Sequence, residues 1–140
     1  MTSTLVLRVT ARLMVPVVVL YAAYLLVRGH DAVGGGFIAG LVAGAALVLR
    51  FFADGGSAPR VAARPLELLG AGILLCGGYG LVGLVSGAGF LAGTVWQPAV
   101  PLLGDVKVAA SLIFDIGVLL VVVAAIGGVL RFLGEAQVRS

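Results

Sequence analysis

Charge is what this sequence has least of. Nine Lys or Arg and six Asp or Glu make up 11% of its 140 residues, where a soluble domain carries about a quarter. So few charges cannot cover a water-facing surface, whereas a chain that is 61% hydrophobic can face lipid on every side. Histidine and cysteine occur once each, as His30 and Cys76. A single cysteine excludes an intrachain disulfide and Cys-based metal ligation, and a single histidine excludes a multi-histidine metal site. Cys76 lies inside an apolar stretch and reads as a small packing residue. A basic patch is also missing. The net charge of +3 is spread over the edges of apolar runs, a distribution that orients membrane helices and argues against nucleic-acid binding.

What remains is apolar and helical in length. Mean hydropathy is +1.23, and crossing about 30 Å of hydrocarbon takes about 20 mostly apolar residues in a helix. Four stretches come near that length: 5–27, 35–52, 66–86 and 108–132. The expected fold is therefore all-α, an integral membrane four-helix bundle forming a single membrane domain over 1–140. Arg8 and Arg12 fall in the first turns of the first span and must snorkel to the interface. Pro16 follows them, where its missing amide can bend the helix. The N-terminus has the look of a signal peptide, yet no small-x-small cleavage site follows, so a retained first helix is expected.

The second connection, Ala53 to Pro65, carries Gly, Ser and Pro turn signals. The third, Gly87 to Lys107, is long and holds Phe90, Trp96, Pro98 and Pro101, which suits the membrane interface or a docking surface for another subunit. With four spans, the termini and the middle loop share one side. That side holds seven basic residues (Arg8, Arg12, Arg50, Arg60, Arg64, Arg131 and Arg139), and the other holds Arg28 and Lys107. Positive residues stay in the cytoplasm, so both termini are expected there, with His30 and Asp105 outside. Arg50, Asp54, Arg60, Arg64 and Glu67 read as topology and solvation charges, as do Arg131, Glu135 and Arg139.

Glycine is abundant, at 22 residues. Gly36, Gly40 and Gly44 recur every four residues and share one helix face, which lets another backbone come close. The third span has a looser series in Gly72, Cys76 and Gly80, and the fourth offers Gly117, Ala124 and Gly128. Whether the partner helices are internal or foreign is left open by the spacing.

Two places carry groups capable of chemistry. The first is the polar hairpin from Arg28 through Gly29, His30 and Asp31 to Gly34, Gly35, Gly36 and Phe37. Its glycines permit positive φ and free backbone amides, so a tight or partly unwound helix entry is expected there. It lacks the Lys-Ser/Thr of a phosphate-binding loop and the preceding strand of a dinucleotide site. His30 changes charge near neutral pH and suits either a proton relay or a hydrogen-bonded anchor of the hairpin. The second place is Asp115, some seven residues into the last span, or about 10 Å. An acid at that depth faces a partner, a backbone amide or a hydrated path rather than lipid. It is either functional or an anchor between helices.

Together, Gly29-His30, Gly34-Gly35-Gly36-Phe37 and Gly40-Leu41 resemble the Gly-His-x-x-Pro-Gly-Gly-Gly-Phe signature of the B-type subunits of Mrp-type multisubunit Na+/H+ antiporters. Phe114-Asp115-Ile116-Gly117-Val118 is similar to that family's last-helix motif, and length and span plan agree from end to end. Related domains occur in membrane-bound hydrogenase complexes and at the end of the large antiporter subunit. Val33 stands where the family has proline, so the hairpin turn is less rigid here. The resemblance implies a small, non-enzymatic subunit without a cofactor. It would work in a complex beside proton-conducting large subunits and exchange cytoplasmic Na+ or another monovalent cation for external protons. Under one reading Asp115 and His30 line part of the ion route; under another the chain is an assembly element, in an antiporter or a hydrogenase-type complex. A free-standing four-span transporter is a third, although such proteins carry an acid in the first span and this one has none there.

Overall fold

The computed structural model describes residues 5–28, 34–57, 59–60, 64–85 and 106–139, with side chains of the last helix placed over 112–136. Among the described residues four helices and no strand occur: α1 Leu5–Arg28, α2 Gly35–Ala53, α3 Pro65–Val85 and α4 Val106–Arg139. Each is long and apolar enough to cross a membrane. A helix satisfies its backbone amides and carbonyls internally, which hydrocarbon requires. α1 continues through Pro16 as one helix. α4 runs on to Arg139, past the end of the apolar stretch at 132. There the chain turns polar but keeps helix-forming residues, and Arg131 Nε pairs with Glu135 Oε1 at 2.9 Å, one helical turn on.

α2 and α4 form the centre of the bundle. α1 packs mainly on α2, and α3 packs on α4. The direction of each helix follows from which residues meet. Going along α2, Gly36 meets Asp115, Gly40 meets Leu119 and Val122, and Gly44 meets Ile126, so α2 and α4 are parallel. α3 is antiparallel to α4, because Cys76 and Gly72 lie against Gly117 while Pro65 lies against Gly128. The start of α1 lies beside the end of α2, where Arg8 and Arg12 share a cleft with Arg50 and Asp54. The helices thus alternate in direction, as successive membrane crossings must.

Small residues make this packing possible. α4 presents Asp115, Leu119, Val122 and Ile126 to α2, and Gly117, Val121 and Gly128 to α3. Both series follow the spacing of a coiled-coil seam, and at 100° per residue they lie on nearly opposite faces. α2 likewise has a second buried stripe, Gly35, Ala39, Ala46 and Ala53, about 130° around the helix from its glycine face, and α1 is its other neighbour. The outer helices bury little: Ala11 and Ala22 in α1, and Gly72, Gly80 and Gly83 in α3. Their large apolar side chains point outward, among them Leu13, Leu20, Leu74 and Val82.

Candidate functional site

The start of α2 is set by Gly34, whose φ of 106° lies in the left-handed region, where a side chain costs about 1–2 kcal/mol. Its carbonyl accepts the first helical bond from the Ile38 amide at 3.0 Å. Gly35 and Gly36 follow and are both buried, while Phe37 is half exposed and turned outward. Gly29 and His30, with Asp31 and Val33, lie outside the described residues.

Gly36 sits directly against the backbone of Asp115. A methyl group added there would overlap the Asp115 carbonyl oxygen and lie 2.7 Å from its Cα and 2.8 Å from its carbonyl carbon. No rotamer change relieves a clash with backbone, so the approach depends on glycine at this position. Asp115 is 8% exposed, the one buried charged residue among those described. It stands level with the first turn of α2, where the leading amides have no intrahelical acceptor and the helix dipole is positive. The acid is therefore close to one end of the bundle rather than at its middle.

α3 closes the other side of this region. The Cys76 thiol donates to the Phe114 carbonyl at 3.7 Å, and the Tyr79 and Phe114 rings lie 5.9 Å apart between centroids, tilted by 47°. Gly117, one turn below Phe114, is held against Gly72 and Cys76, where an added methyl would lie 2.6 Å from the Cys76 sulfur. The structure thus joins Gly36, Asp115 and Gly117 into one layer across α2, α4 and α3. Leu119, Val122 and Ile126 complete the α2 seam, and their four-three-four spacing from Asp115 was the signal in the sequence that could have found them. Chemically, the layer offers one carboxylate that can hold a proton or a monovalent cation.

Four membrane-length helices with an acid buried in a glycine-lined seam define a multi-pass membrane protein. A family described as "Domain related to MnhB subunit of Na+/H+ antiporter" matches residues 6–128, and the chain belongs to that family. It is 34% identical over 138 residues to the Na(+)/H(+) antiporter B-type subunit of Bacillus subtilis (strain 168), covering 97% of this chain and 96% of that one. The Na(+)/H(+) antiporter B-type subunit of Alkalihalophilus pseudofirmus is 30% identical over 125 residues, covering 86% of this chain and 85% of its own. A probable K(+)/H(+) antiporter protein of Rhizobium meliloti, named as a combined A/B subunit, is 31% identical over 134 residues, or 94% of this chain but 13% of that longer protein. No solved structure matches the chain.

Proposed function

We propose that this chain is a small membrane subunit of a multisubunit cation/proton antiporter exchanging cytoplasmic Na+ for external protons, and that Asp115 contributes to its ion route. The observation that carries the reading is the burial of a carboxylate, 8% exposed, inside an apolar span. An acid within a membrane span is unfavourable toward lipid unless it has a partner or a hydrated path, so an intramembrane acid is first of all a functional group. Family membership supplies the context of partner subunits, and His30 is the second candidate for the proton relay. The Na+ assignment follows the name of the Bacillus subtilis relative, although another relative is named for K+. The protein resides in the cell membrane with both termini in the cytoplasm.

A second reading is favoured by the Gly36–Asp115 backbone contact: the layer fastens helices and conducts nothing. Cation-dependent proton exchange in membrane vesicles, normalised to assembled complex, separates the two. Vesicles lacking this chain should lose exchange, and the chain with Asp115→Asn should restore assembly without restoring activity. Full exchange by the assembled Asn variant would remove Asp115 from transport.

A further inference from the structure

Three arginines meet at the opposite end of the molecule from Asp115. Between the start of α1 and the end of α2 lies a cleft of about 300 Å³ to which Arg8, Arg12, Arg50 and Asp54 contribute, with Val15 and Pro16 beyond them. Arg50 Nε reaches Asp54 Oδ2 at 3.5 Å, and the lining holds three arginines and one aspartate. Three arginines against one aspartate give the cleft an excess of positive charge, and such a cleft attracts an anion.

The surroundings say what kind of anion. Past the arginines the lining turns apolar at Val15 and Pro16. On α1, next to the face that carries Arg8, Arg12 and Pro16, the large side chains of Val9 and Leu13 are exposed, and these are what the hydrocarbon of a bilayer meets beside the cleft. A ligand suited to both parts has a negatively charged head and apolar tails. Planar guanidinium groups pair with phosphate oxygens in two-point contacts, and basic pockets between membrane helices take lipid head groups.

We infer that the cleft between α1 and α2 binds the phosphate of an anionic phospholipid, with the acyl chains lying along the exposed flank of α1. The assignment is independent of Asp115 and of ion exchange. It gives Arg8, Arg12 and Arg50 a common task beyond setting topology.

The test uses the intact complex containing this chain, purified in detergent, stripped of lipid and titrated with phosphatidylglycerol, phosphatidylcholine or inorganic phosphate, with bound lipid counted by native mass spectrometry. Phosphatidylglycerol should bind this chain's site, phosphatidylcholine should not, and millimolar phosphate should not displace the lipid. Each arginine near a membrane surface is worth about 1 kcal/mol toward an anionic head group, or about fivefold in affinity. The Arg8→Gln/Arg12→Gln double variant should therefore bind about 25-fold more weakly, while Arg64→Gln, at an exposed arginine paired with Glu67, should bind as the wild type does. If the double variant fails to assemble, Arg12→Lys keeps the charge without the two-point geometry and should still bind measurably more weakly. Wild-type affinity in the arginine variants, an equal loss in Arg64→Gln, or displacement by free phosphate would each overturn the lipid assignment.

Discussion

Asp115 and Gly36 define each other's environment. The acid is buried because α2 comes within backbone contact of α4 at this level, and α2 comes that close because residue 36 has no side chain. Two predictions follow different parts of this pair. If Asp115 carries protons or cations, Asp115→Asn should lower exchange by about a hundredfold, the low end of what a positioned proton acceptor contributes to a transfer step. The amide keeps the shape but cannot ionise, and Asp115→Glu should recover part of the loss. Vesicle exchange normalised to assembled complex is the measurement, and a silent Asn variant with a poorly assembling Asp115→Leu would favour the fastening role.

The glycine side is read through stability. Gly36→Ala should cost about 2–3 kcal/mol, because the added methyl meets backbone and the helices must part. At Gly44 the methyl meets the end of the Ile126 side chain, which can rotate away, so Gly44→Ala should stay within about 1 kcal/mol. Thermal loss of the chain from the purified complex measures both, and equal effects would show that the Gly36 contact relaxes easily.

At the scale of elements, the seam between α2 and α4 is the part most sensitive to bulk. An added Cβ at Gly40 would lie 2.9 Å from Val122 Cβ and 3.3 Å from Leu119 Cα, so a leucine there has no room without a shift of the whole helix. Gly40→Leu should release the subunit from the complex on native gels, and normal assembly with normal exchange would count against the seam. The sequence showed the Gly36, Gly40 and Gly44 stripe through its four-residue period, because helical spacing alone puts those positions on one face. It could not show that the stripe meets α4, since an apolar helix in lipid carries no polar face to reveal its neighbour. For the same reason Leu119, Val122 and Ile126 looked like ordinary apolar residues. The four helices themselves were legible from hydropathy, but the end of α4 was not. Hydropathy falls at Arg131, whereas the helix persists through an ion pair and good helix formers. Arg8, Arg12 and Arg50 were visible as charges at span ends, and only the antiparallel contact of α1 with α2 brings them together.

At the scale of the molecule, the alternating helices collect charge at one end. Arg8, Arg12, Arg50, Asp54, Arg64, Glu67, Arg131 and Glu135 all lie toward the start of α1 and α3 or the end of α2 and α4. Among the residues whose side chains are described, the opposite end holds Asp115 and, at the close of α1, Arg28. In the whole sequence seven basic residues stand on the first side against two on the second. Retention of positive residues during insertion should therefore leave the charged end in the cytoplasm, with Asp115 near the outer surface, where external protons would reach it first. Single cysteines at Ser57→Cys, in the loop after α2, and at Arg28→Cys, at the end of α1, report the two sides once Cys76 is replaced by serine. In intact cells a membrane-impermeant thiol reagent should label position 28 and spare position 57. In inside-out vesicles the pattern should reverse. Arg28→Cys removes a positive charge only from the poorer side, so it strengthens the asymmetry it tests. Labelling of position 57 in intact cells would invert the molecule, place Asp115 near the cytoplasm and require the acid to take its proton from the other side.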